Sequence, residues 1–176
     1  MLYSQFKSSL NETDGDVIIW NQFINDKNPE HIFHCHSPVL HVSYVEFNPN
    51  LILGSTYSGQ IVMWDNRVKT PLPVQCSKLN SKAHTQPVYC LRSIGNDNNI
   101  ISVSLDGKLC SWNLDMLSMP LDIIQLQCDV SEKVKKPIAV TCMDFPANGV
   151  NNLVLGGEDG YVYSGKISYF ITILSY

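Results

Sequence analysis

The sequence predicts an all-β fold of stacked four-stranded antiparallel sheets, and three observations carry that expectation. First, an octamer recurs: DGDVIIWN at 14–21, SGQIVMWD at 58–65 and DGKLCSWN at 106–113. A weaker copy, DGYVYSGK, occupies 159–166 with Gly165 where Trp would stand. Second, the steps from Trp20 to Trp64 and from Trp64 to Trp112 are 44 and 48 residues, and the step on to Gly165 is 53. A repeat of that length is one supersecondary unit that cannot bury its own apolar face and must stack on its neighbours. Third, no long stretch carries the i, i+3, i+4, i+7 apolar spacing of a helix.

Each unit reads as strands in order. Asp-Gly or Ser-Gly can take the positive φ of a tight hairpin turn. The residues after it alternate as a half-buried strand does: Leu109 and Ser111 face one way, Lys108, Cys110 and Trp112 the other. Before each turn lies an apolar run, at 51–55, 100–104 and 153–157, and before that another, at 41–47, 88–93 and 138–145. Loops rich in Asn, Pro and Gly join these two runs. A fourth, less regular strand is expected after each Trp. The resulting division is the end of a preceding unit and a linker at 1–35, units at 36–80, 81–130 and 131–167 (the last degenerate), and a divergent apolar tail at 168–176. CDVSEKVKK, at 128–136, reads as an exposed linker.

Composition narrows the function classes. Of 176 residues, 44% are hydrophobic and 16% charged, a globular rather than a disordered balance. The net charge of −4 offers no basic face for nucleic acid. No apolar stretch approaches the roughly 20 residues of a membrane helix, and the first residues lack a signal-peptide core. These features predict a soluble intracellular protein with neither nucleic-acid nor membrane partners. None of the six cysteines forms a Cys-x-x-Cys pair, and Cys90, Cys110 and Cys142 are expected as buried thiols.

Candidate chemistry is sparse. His31, His34, Cys35 and His36 are metal-ligand types. On an extended segment, however, His34 and His36 share a face opposite His31 and Cys35, and no second ligand pair follows, so no metal is expected. Gly54, Gly156 and Gly157 sit between strands with no helix after them, which excludes a phosphate cradle. No cofactor is expected. Lys133, Lys135 and Lys136 read as a solvated loop. Tyr57, Tyr161 and Tyr163 read as sheet packing, with a partner-binding rim as the alternative.

Four strands per unit at this period is the signature of a β-propeller blade, and the units resemble WD repeats. The chain is then a partial propeller of about three blades plus the end of one before them. Trp20, Trp64 and Asp65 carry the blade signature. The third unit resembles the family best. His84 follows Ala83 where the family has Gly-His, and with Ser104, Asp106 and Trp112 it completes the family's structural tetrad, Ser102 being a possible substitute for Ser104. The resemblance makes this Ser-His-Asp set architectural rather than catalytic, so no catalytic residue is expected. The second unit keeps Thr56 and Trp64, with Ser58 at the turn and Pro38 near the His position.

A closer resemblance covers roughly residues 13–164. FNPNLILGSTYSGQIVMWDNR, at 47–67, and DGKLCSWNLDML, at 106–117, are similar to the WD-repeat region of the cytoplasmic dynein intermediate chains. The resemblance implies a non-catalytic subunit of the dynein motor, associated with microtubules in the cytoplasm, whose propeller docks on the dynein heavy chain. Light chains and dynactin would bind only through an N-terminal region absent from this sequence. That family's propeller has seven blades, so the resemblance also implies a fragment. A WD-repeat scaffold of another complex, such as an axonemal dynein intermediate chain, is the alternative. An enzyme would need a cluster of acids, ligands or cofactor-binding glycines, and none is visible.

Overall fold

The structure, a computed structural model, describes residues 2–9, 12–21, 23, 28–93, 98–131, 134–146, 152–166 and 174–175. Among these every regular element is a strand. The first sheet is β1 (Leu2–Ser9), β2 (Glu12–Ile19) and β3 (His31–Cys35). The second is β4 (Val39–Val45), β5 (Asn48–Thr56), β6 (Ile61–Asp65) and β7 (Gln75–Cys76). The third is β8 (Val88–Ser93), β9 (Asn99–Ser104), β10 (Lys108–Asn113) and β11 (Asp122–Gln125). A separate hairpin, β12 (Gln127–Ser131) and β13 (Val134–Pro137), precedes the fourth sheet: β14 (Val140–Asp144), β15 (Asn152–Gly157), β16 (Val162–Lys166) and β17 (Leu174–Ser175). Each sheet is an antiparallel meander in chain order. This is the architecture of a partial WD β-propeller.

The hairpin turns arise where the octamers place glycine. Gly59, Gly107 and Gly160 have φ of 90°, 73° and 84°. Their amides donate to the carbonyls of Thr56, Ser104 and Gly157, each at 3.2 Å. A side chain at such a φ would be strained, so Ser-Gly and Asp-Gly select the turn and thereby fix the strand register. The first octamer behaves differently. Asp14 and Gly15 lie inside β2, opposite Lys7 and Phe6 of β1, so no turn forms there. Space explains the glycine instead: a Cβ on Gly15 would stand 2.6 Å from the Ser37 carbonyl oxygen.

Packing runs through both faces of the middle sheets. Val17, Ile19, Phe33 and Cys35 of the first sheet meet Ile52, Val62 and Trp64 of the second. On the second sheet's other face, Leu53, Ile61 and Met63 meet Leu91, Ile100, Cys110 and Trp112 of the third. The third sheet's far face, with Ile101, Val103 and Leu109, meets Val140, Leu153, Leu155 and Tyr163 of the fourth. Successive side chains of a strand point to opposite faces, which is why odd and even residues of one strand serve different cores. Trp64 and Trp112 are fully buried, each removing a large apolar surface from water.

Two expectations change at this level. Residues 128–136 read as an exposed linker, but β12 pairs with β13 there, with a register shift between Asp129 and Ser131. Cys90 and Cys110 are buried, yet Cys142 is exposed. Cys142 pairs with Gly156 on the face where Val154 is also exposed, whereas its counterpart Cys90, after the same register shift in β8, is buried against the fourth sheet. Lys133, the loop at 95–97, and residues 168–173 and 176 of the tail lie outside the described residues.

Candidate functional site

The densest polar cluster among the described residues lies inside the third sheet. Its parts come from four places: the 77–87 link, β9, the turn at Asp106–Gly107, and β10. The link is held first. Asn80 Oδ1 accepts the amides of Lys82 and Ala83 at 3.0 and 2.8 Å. Lys108 Nζ donates to the carbonyls of Ser81 and Ala83, both at 2.9 Å. This places His84 inside the protein, 1% exposed.

From there the hydrogen bonds form one chain. The Trp112 indole N–H, a donor only, donates to Ser102 Oγ at 2.8 Å. Ser102 Oγ lies 2.7 Å from His84 Nε2. Nδ1 faces Asp106 Oδ1 at 3.4 Å; an ionised carboxylate only accepts, so Nδ1 carries the proton, and in the neutral imidazole Nε2 accepts the serine hydroxyl. Asp106 is further held by the Thr85 amide on Oδ2 at 2.9 Å and the Lys108 amide on Oδ1 at 3.0 Å. Burial alone would raise the Asp106 pKa, but the His84 hydrogen bond and the backbone amides outweigh it and hold the carboxyl at about 2. Cys110 Sγ is 4.0 Å from His84 Nδ1. Burial first, and the Asp106 charge second, push that thiol to about 12.

The structure brings His84, Asp106 and Trp112 together and corrects the serine: Ser102, not Ser104, joins them. Register is the reason. Trp112 stands opposite Ile100, so Ser102, two residues on, is the nearer of the two serines on that face. Ser104 lies two residues further toward the turn, about 13 Å along the strand from Ile100. Its hydroxyl donates instead to the Gln86 carbonyl at 3.0 Å and accepts the Asp106 amide at 3.3 Å. Thr85 and Lys108 were not legible as members, because their contacts come from loop geometry rather than strand alternation.

Serine, histidine and aspartate here form a hydrogen-bonded series, but not an open one. Ser102 is fully buried, and its oxygen is occupied by the indole. A reacting atom needs a place near both nucleophile and oxyanion donors, and sheet packing fills that place. The arrangement instead satisfies every member of a buried polar network, which favours a single packed geometry.

The other units solve the same position differently. In the second sheet, the Tyr57 amide donates to the Pro38 carbonyl as the Leu105 amide does to Pro87. Pro38 therefore matches Pro87, and Cys35, not Pro38, stands three residues earlier where His84 does. Gly54 takes the place of Ser102, with the Trp64 ring over it: a Cβ there would be 2.6 Å from the indole Cζ3. The Trp64 indole donates to the His34 carbonyl at 3.3 Å. Thr56 Oγ1 accepts the Gln60 amide at 2.9 Å. Asp65 does not enter the core; it accepts from Arg67 Nε and Nη2 at 2.9 and 2.7 Å on the surface. Trp20 is partly exposed. In the fourth sheet, Asp159 accepts the Tyr163 hydroxyl.

A smaller polar cluster joins Ser37, Thr56, Ser58, Gln60 and Ser77 at the second sheet's hairpin. Among the described residues, no three His, Cys, Asp or Glu side chains are grouped to hold a metal. His34 Nδ1 meets Asp16 Oδ1 at 2.8 Å, and His31 stacks on Phe33 with centroids 5.8 Å apart. Two shallow depressions, of about 180 and 240 Å³, share His31 and Asn66 in their walls. Tyr57 and Tyr161 are exposed, whereas Tyr163 is buried.

Comparison with known proteins accords with this geometry. The model of the WD domain, G-beta repeat, matches residues 75–113, a span from β7 through β10 that contains the whole His84–Trp112 network. Over 166 residues the chain is 54% identical to the cytoplasmic dynein 1 intermediate chain of Drosophila melanogaster, covering 93% of this chain. The match spans 24% of that relative's length.

Proposed function

We propose that this chain, similar to the WD-repeat part of a cytoplasmic dynein intermediate chain, is a non-catalytic scaffold of the dynein motor complex. Its stacked sheets hold the dynein heavy chain and so support microtubule-based transport in the cytoplasm. Residues 36–80, 81–130 and 131–167 act as successive blades. The His84, Ser102, Asp106 and Trp112 network locks the middle one. Light chains and dynactin engage parts of the subunit other than these residues.

One observation carries the reading: 54% identity over 93% of the chain, which extends well beyond the single matched repeat. The inward-turned polar network supports the non-catalytic part, since its serine and histidine are committed to one another and to Trp112. The test is affinity capture of the tagged full-length protein from its own cells, followed by mass spectrometry. Cytoplasmic dynein heavy chain should co-purify in stoichiometric amount. Recovery of an axonemal dynein or an unrelated assembly, without cytoplasmic heavy chain, would overturn the proposal.

A further inference from the structure

The chain holds two hydroxyl residues followed by proline, Ser37-Pro38 and Thr70-Pro71, and the fold treats them in opposite ways. Ser37 is 8% exposed, and its Oγ accepts the Ser58 amide at 3.1 Å. Thr70 stands exposed in the loop at 66–74, between β6 and β7. Among the described residues no group bonds its hydroxyl. Proline has no N–H and disfavours the helical region for the residue before it. Thr70 is therefore biased to extended backbone, the shape in which a peptide lies along a kinase cleft. The loop is anchored mainly at its base. The Asn66 amide donates to Asn50, the Val68 amide to Asp65 and the Val74 amide to Met63, at 3.0, 3.1 and 2.8 Å. Near Thr70 one bond holds it, from the His34 amide to the Pro71 carbonyl at 2.8 Å.

The surroundings of Thr70 suit an anion. It shares the walls of the depression of about 180 Å³ with His31 of β3 and with Arg67 and Lys69 of its own loop. Arg67 gives Nε and Nη2 to Asp65 at 2.9 and 2.7 Å, which leaves further N–H groups of the five-donor guanidinium. The carboxylate beside the loop is thus already paired. Residues 66–82 carry Arg67, Lys69, Lys78 and Lys82 and neither Asp nor Glu, although the chain's net charge is −4. A phosphate on threonine brings about −1.5 to −2 charges and three strong acceptor oxygens, which these cations can meet.

We infer that Thr70 is a phosphorylation site for a proline-directed protein kinase, and that Arg67 and Lys69 hold the phosphate it receives. In the transfer, Thr70 Oγ1 bonds the γ-phosphorus of ATP and the bond from that phosphorus to the β,γ-bridging oxygen breaks. ADP leaves, and the hydroxyl proton passes to the kinase's catalytic carboxylate. The phosphate lies at the seam between the first and second sheets, where the His34–Pro71 bond already joins them. Neither the site nor the reaction depends on a dynein partner.

The test uses the full-length protein, purified from its own cells with phosphatases inhibited and digested for mass spectrometry. A peptide with phosphate on Thr70 should be found, and none with phosphate on Ser37. After phosphatase treatment, a proline-directed kinase with Mg²⁺ and ATP should relabel the folded protein at Thr70, and Pro71→Ala should lose most of that labelling. Phosphorus NMR reads the cradle. The second ionisation of the phosphate should fall below its ordinary value of about 6 and return toward it in Arg67→Gln with Lys69→Gln. Absence of phosphate from Thr70 in cells, labelling that needs unfolded protein, or labelling that Pro71→Ala leaves intact would overturn the site. A phosphate that titrates at about 6 in both proteins would overturn its cradle. No dynein subunit enters the measurement, so its failure would not touch the heavy-chain reading.

Discussion

The second and third sheets share one backbone plan and hold their tryptophans by opposite chemistry. In the third, Trp112 is tied by its N–H to Ser102, then through His84 to Asp106. In the second, the serine is Gly54, the histidine place is taken by Cys35, and Trp64 lies on the glycine with its N–H on the His34 carbonyl. Both tryptophans are fully buried. The repeat therefore demands a buried indole whose N–H is satisfied and leaves open which group satisfies it. A serine needs room for its Cβ; a glycine lets the ring come closer. The two solutions are not interchangeable one residue at a time.

The largest expected effect comes from forcing one solution on the other. Gly54→Ser drives a Cβ to 2.6 Å from the Trp64 ring and should cost about 3 kcal/mol by overpacking, read as a drop in denaturation midpoint. Stabilisation instead would show that the second sheet accepts the polar lock. Next is Ser102→Ala, which strips partners from both a buried indole N–H and a buried imidazole nitrogen, at about 2–3 kcal/mol. Ser104→Ala loses the hydroxyl's bond to Gln86 and the long one it accepts from the Asp106 amide and should cost less than about 1.5 kcal/mol. Equal losses would remove the distinction between the two serines.

Acid sharpens the same contrast. The folded Asp106 carboxyl sits at about 2 against an ordinary 3.8. A depressed carboxyl contributes its stability above pH 3.8 and loses it as pH falls toward 2, a difference worth roughly 2 kcal/mol. Asp106→Asn should abolish that part of the acid dependence in equilibrium unfolding. The smallest effect belongs to the second sheet's own aspartate. Asp65 pairs with Arg67 on the surface, where such pairs contribute little, so Asp65→Asn should leave the melting temperature unchanged.

Much of the fold was legible because glycine and tryptophan act locally. Ser58-Gly59 and Asp106-Gly107 demand positive φ, and the alternation after them sorts each strand into its two cores. The misses share a physical cause. Asp14-Gly15 has the same letters as a turn, yet β2 runs through it, because its glycine answers the Ser37 backbone rather than a bend. Residues 127–137 carry no strong turn pair, so a hairpin built across an irregular register gave no signal. Cys142 alternates as Cys90 does, through the same register shift, but lies on the face where Val154 is exposed, whereas the fourth sheet covers Cys90. For the site, His84, Asp106 and Trp112 were readable from spacing. Ser102 and Ser104 share one strand face, so alternation could not separate them; the pairing of Trp112 with Ile100 does.

Hydrogen exchange of the Trp112 indole N–H, followed by NMR in the wild-type chain and the two serine variants, addresses the Ser102-centred lock most directly. The account predicts protection near the level of global unfolding in the wild type and in Ser104→Ala, and a marked loss of protection in Ser102→Ala. Protection that persists in Ser102→Ala but collapses in Ser104→Ala would contradict it.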